Sequence, residues 1–129
     1  MDARTAARAL AAGRMALGIG LLVAPTRFTS AWIGADAAAD PSARVLTRAL
    51  GVRDAILGAI ALHTVDHPEV GPRWLRTCAA ADAVDCLATI GGRGALPHAG
   101  VVGVGALAGG AAIAGVALAA QLEAAPQPA

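Results

Sequence analysis

Six charged residues stand inside segments that are otherwise apolar enough to cross a membrane: Arg14, Arg48, Arg53, Asp54, Asp82 and Asp85. Three of them fall in a single run, Thr47-Arg48-Ala49-Leu50-Gly51-Val52-Arg53-Asp54-Ala55-Ile56-Leu57-Gly58. An Arg or Asp at the centre of a bilayer costs roughly 2.5 to 3.5 kcal/mol on insertion scales, so such groups persist only where they are paired, hydrated or put to use. A fold for this chain therefore has to turn these charges inward, against one another.

The surroundings sharpen that constraint. Of 129 residues, 57% are hydrophobic and 15% charged, against about 25% charged in an ordinary soluble domain. The length gives one domain with room for four crossings of about 20 residues each. Much of the hydrophobicity is Ala, which keeps a soluble helical bundle as the competing reading. The net charge is +1 and the basic residues are all dispersed Arg, so no basic block exists to grip nucleic acid.

Punctuation along the chain gives the segments. The first span covers residues 6–24, entered through Arg4 and Arg8 and closed by Pro25. A cleaved signal peptide shares this basic start and apolar middle, but Arg14 interrupts it. Thr26 to Gly34 alternates polar and apolar residues, with Phe28 and Trp32 four apart, which predicts a short helix lying at the membrane interface. Trp32, and Trp74 at the start of the third span, are read as headgroup-level anchors. Ala35 to Ala39 reads as a loose linker. Asp40-Pro41 then opens the second span, residues 43–65, with a capping carboxylate and a proline where no N–H is needed. Pro68 ends it. The third span covers 73–91, with Cys78, Asp82 and Asp85 on one stripe and Gly91-Gly92-Arg93-Gly94 as its stop. The fourth covers 96–121, and no residue from Gly94 to Leu122 carries a formal charge. Residues 1–123 form a single domain and 124–129 a disordered tail.

Small residues recur at helical spacing: Ala9, Gly13, Ala16 and Gly20 on the first span, Ala99, Gly103, Ala106 and Gly110 on the fourth. Such stripes let helices approach closely. Gly13, Gly20, Gly51, Gly58, Gly103 and Gly110 are thus the expected packing glycines, with the first and fourth spans as partners. Flanking Arg residues number four on the amino-terminal side (Arg4, Arg8, Arg73, Arg76) and three on the other (Arg27, Arg44, Arg93), a bias that puts both termini in the cytoplasm.

Register suggests how the six charges pair. In antiparallel neighbours, residues at equal depth have nearly constant index sums. By that rule Arg53 faces Asp82 and Arg48 faces Asp85, with an offset of about 3 Å that an Arg stem can span, leaving Arg14 for Asp54. One geometric objection stands: Arg48 and Arg53 point about 140° apart on their helix. The pairing fixes helix order and register, a role open to buried ionic groups in bundles; a proton or anion path is the functional alternative.

Other chemistry is thinner. His63, Asp66, His67 and Glu69 gather donors near a helix end, a spacing that suits a metal and equally a solvated turn, and no metal or cofactor is assigned. Cys78 and Cys86 lie about 12 Å apart along one helix, beyond disulfide reach, and are read as buried thiols. No nucleophile elbow, phosphate-cradling loop or triad is present, so no catalytic residue is named and the chain is not read as an enzyme.

The succession Leu22-Val23-Ala24-Pro25, Trp32-Ile33-Gly34, Thr47 to Asp54 with Leu57-Gly58, Trp74-Leu75 and Ala81-Asp82-Ala83-Val84-Asp85 resembles uncharacterised small four-span bacterial membrane proteins of the domain-of-unknown-function class. The use of Ala and Arg without Lys suits an actinobacterial type. The resemblance covers about Arg14 to Ile90 and implies no activity. The expected fold is all-α, a four-helix antiparallel transmembrane bundle with a short interfacial helix between spans 1 and 2, multi-pass in the cell membrane. The expected function is structural or accessory, with the lipid bilayer and either a second copy or a membrane protein as partners. The alternative is a small proton- or ion-coupled transporter using the buried carboxylates.

Overall fold

The computed structural model describes residues 1–125, and these are all-helical, without strands. Six helices follow in order: α1 (Ala3–Val23), α2 (Pro25–Ile33), α3 (Ala35–Ala39), α4 (Pro41–Thr64), α5 (Val70–Gly91) and α6 (His98–Ala124). Four are long and two are short. The stretch expected to be a loose linker is α3, because its alanines carry no competing side-chain hydrogen bonds and favour a helical turn. Ala124, assigned from sequence to the tail, ends α6; residues 126–129 of that tail lie outside the described residues.

Local chemistry explains the boundaries. Asp2 caps α1, its carboxylate accepting from Thr5 N at 2.9 Å. Pro25 stands at the first turn of α2, where its missing N–H is no loss. Gly34 closes α2 with its N–H on Ser30 O at 3.0 Å; its φ of 92° lies in the left-handed region that glycine enters without a Cβ penalty. Asp40 caps α4 as its sequence position demands, accepting from Ser42 N at 2.7 Å. α5 begins at Val70, three residues ahead of the expected start, so that Pro72 lies within its first turn.

α1 packs along α4, and α5 along α6, as antiparallel pairs. Partners fall in opposite order along each pair: a Cβ on Gly51 would meet Gly18 O and Leu22 N, and one on Gly58 would meet Ala11 O and Met15. On the other pair, Gly115 lies against Ala79 and Leu75, and Gly109 against Cys86. The first and last helices, expected as close partners, touch only sparingly.

The glycines explain this difference. No atom lies within 4 Å of a Cβ built on Gly13, Gly103 or Gly110, so these three are not at helix contacts. Gly20 is covered by the Phe28 ring of α2 rather than by a long helix. Only Gly51 and Gly58, of the six expected, bring two helices together, and Gly18 joins them from α1.

Along its length the molecule is layered. At one end Arg4 and Arg8 hold Asp66, and Arg76 holds Glu123, on the exposed rim. Beneath lie two small cores, Ala7, Val65, Leu75 and Ala119, then Ala11, Ala61 and Cys78 with Trp74 packed on them. Next come the interior charges, and beyond them an open space roofed by Phe28 and Trp32 of α2.

Candidate functional site

Three helices supply the interior charges. α1 brings Arg14, α4 brings Arg53 and Asp54, and α5 brings Asp82 and Asp85. Helical spacing accounts for the choice: Asp54 falls on the buried stripe of α4 with Thr47, Gly51, Gly58 and Ala61, and Asp82 on that of α5 with Leu75, Cys78 and Ala79.

The side chains form one line of alternating sign, Asp82, Arg14, Asp54, Arg53, Asp85. Arg14 donates Nη1 to Asp54 Oδ1 at 3.1 Å and Nη2 to Cys78 O at 3.2 Å, and pairs through Nη2 with Asp82. Arg53 donates Nε and Nη2 to Asp54 Oδ1 at 3.2 and 3.1 Å. It then forks onto Asp85, Nη1 to Oδ1 at 3.2 Å and Nη2 to Oδ2 at 2.5 Å, the bidentate geometry that suits guanidinium and carboxylate. Asp54 Oδ1 thus accepts from both arginines. Side-chain exposure grades the line: 9% for Arg14 and 7% for Asp54, against 37% for Arg53 and 22% for Asp85.

The expected Arg14–Asp54 pair is present. The other two expected pairs are replaced: Asp82 meets Arg14 rather than Arg53, and Asp85 meets Arg53 rather than Arg48. Arg48 is not in the line at all. It is exposed and donates Nε to Leu22 O at 3.4 Å, the outcome of the wide angle between Arg48 and Arg53. Equal-depth counting fails because it treats α4 and α5 as direct partners, whereas α1 lies closest to α4 and delivers Arg14 between them.

The two tryptophans expected as anchors are both half-buried. Trp74 packs against the Ala11, Ala61 and Cys78 core, and Trp32 is half-buried, its Nε1–H buried without a hydrogen-bond partner among the described residues. Cys78 is buried and points its Sγ at Leu57 O, while Cys86 is only half-buried and faces Gly105 O at 3.4 Å. Near the α4–α5 turn, Asp66 is taken by the two rim arginines and His67 Nδ1 accepts from Val70 N at 3.3 Å, so this cluster is organised as a turn. No group of three metal-ligating side chains converges among the described residues.

Against the charge line opens a cavity of about 450 Å³, a feature that no sequence pattern announces. Arg14, Asp54, Asp82 and Asp85 face it from one side, and Leu10, Leu17, Leu21, Leu50, Val104 and Ala108 are among its apolar walls. Such volumes and such a mixture are typical of small-molecule sites. No family model matches the chain, and no match was found among curated proteins or solved structures.

Proposed function

We propose that this chain is a small integral membrane protein of structural or accessory type, crossing the cell membrane four times as an antiparallel bundle with both termini cytoplasmic, whose Arg/Asp line fixes helix packing. One observation carries the reading: ionic side chains lie in the interior while large apolar ones lie outside. Arg14, Asp54 and Asp82 are in the interior, while large apolar side chains are exposed on every long helix. These include Ile19 and Leu22 on α1, Leu46 and Ile56 on α4, Val84 and Leu87 on α5, and Leu107 and Ile113 on α6. Water-soluble monomers rarely expose large apolar side chains on every one of their long helices. Among the described residues, α1 and α6 alone are by length and composition apolar enough to cross a membrane. α4 and α5 fall short because of their charges, of which the fold turns Asp54 and Asp82 inward, and Arg53 and Asp85 in part, while Arg48 stays exposed.

Carbonate extraction of native membranes tests the reading. The chain stays in the pellet, and reporters fused to its two ends read the same, cytoplasmic side; release into the supernatant would refute it. The cavity favours a second reading, a small ion-coupled transporter, since it leads to three carboxylates. Proteoliposomes would then show flux under a pH gradient that Asp82→Asn abolishes.

A further inference from the structure

The cavity and the charge line together carry a chemical preference. Its wall presents three carboxylates, Asp54, Asp82 and Asp85, and a single guanidinium, Arg14. Arg53 adds one positive charge from behind, through Asp54 and Asp85, and Arg48 faces away. Formal charge around the space is therefore negative by one. An excess charge inside apolar walls is costly unless something of opposite sign neutralises it.

The aromatic residues point the same way. The chain has only one Phe, two Trp and no Tyr, yet Phe28 and Trp32 both line this cavity. Aromatic faces attract cations, most strongly where water is excluded, and aromatic surroundings are the usual recognition of quaternary ammonium groups. Exposed Ala9, Gly13 and Leu107 on α1 and α6 are also in the lining, so the space opens sideways between those helices, toward lipid in the membrane reading.

We infer that this cavity is a binding site for a lipophilic monocation, an amine or quaternary ammonium with an apolar body, whose charge rests by Asp54, Asp82 and Asp85 and whose body fills the space between α1 and α6. The inference needs the four-span reading only for the route of entry. Binding to purified chain can fail while membrane extraction and topology hold, and the reverse.

The full chain carrying Trp74→Phe, in a non-ionic maltoside micelle, leaves Trp32 as the only indole and hence the reporter. Its fluorescence is titrated with phenyltrimethylammonium and with 2-phenylpropan-2-ol, an uncharged molecule of nearly the same shape. The cation binds at least tenfold more tightly. Asp82→Asn, which removes the excess charge, lowers that affinity at least tenfold. Gly13→Leu does the same with no change of charge: open space surrounds a Cβ there, and a glycine in a helix gains helical propensity on replacement, so this variant keeps its fold, checked by circular dichroism. Equal binding of the neutral molecule would reduce the cavity to an apolar void and overturn the inference. So would undiminished cation binding to folded Gly13→Leu, or no binding of the cation at millimolar concentration.

Discussion

At the scale of single residues, Arg14 is the side chain that joins three helices, since its guanidinium reaches Asp54 on α4 and both Asp82 and the Cys78 carbonyl on α5. Removing one member of a buried pair leaves the other charged and unpartnered, a loss of about 3 to 5 kcal/mol. Arg14→Ala and Asp82→Ala are each expected to fall in that range by denaturant titration of the reconstituted protein. The double variant should lose less than the two combined, by about 0.5 to 3 kcal/mol; strict additivity would mean that the pair contributes nothing as a pair. Arg14→Lys should not rescue, because an ammonium is a point charge without the planar fork that serves several acceptors at once. Arg48→Ala is the contrasting case. Its side chain is exposed and meets only a backbone carbonyl, so folding should be unaffected.

At the scale of helices, identical residues have opposite consequences according to the face they occupy. A Cβ on Gly58 would stand 2.8 Å from Ala11 O, and one on Gly51 would stand 2.7 Å from Gly18 O. Backbone cannot yield as a side chain tip can, so α1 and α4 would have to separate. Gly58→Ala and Gly51→Ala are each expected to destabilise by about 1 to 3 kcal/mol, the usual range for overpacking. Gly103→Ala, with nothing within 4 Å, should be neutral or gain roughly 0.5 to 1 kcal/mol from reduced backbone entropy. Thermal melts of the three variants side by side decide this. Spacing in the sequence displayed all these glycines as equivalent stripes, and only the packing of α1 on α4 separates those that touch from those that do not.

At the scale of the whole molecule, stability at low pH depends on carboxylates at the ends of the bundle. The backbone N–H groups of Ser42 and Ala43 hold the Asp40 carboxyl below its ordinary value of 3.8. The Arg76 guanidinium likewise holds Glu123 below the usual 4.5, tying the start of α5 to the end of α6. A depressed folded-state value means that the stabilisation is full above the ordinary value and is lost as pH falls through the depressed one. Asp40→Asn keeps a capping oxygen that does not titrate in this range. Its melting temperature should match the parent at pH 7 and decline less in acid, and parallel acid melts would refute the capping contribution.

Composition and punctuation made the helical character legible, together with most element boundaries: Asp40-Pro41, Gly34 and Gly91-Gly92 carry local backbone chemistry that acts without reference to distant residues. Solvation cost anticipated the inward placement of Arg14, Asp54 and Asp82 and, in part, of Arg53 and Asp85, but not the exposure of Arg48. Which charges meet, which glycines touch and where the chain leaves space were decided by tertiary structure. Each depends on α1 lying against α4 and α5 against α6, a choice between helix faces that sequence periodicity presents as equally apolar. Arg14 shows the difference most plainly. Its sequence position demanded a partner, and only the packing of three helices gave it two carboxylates, with a cavity beside them.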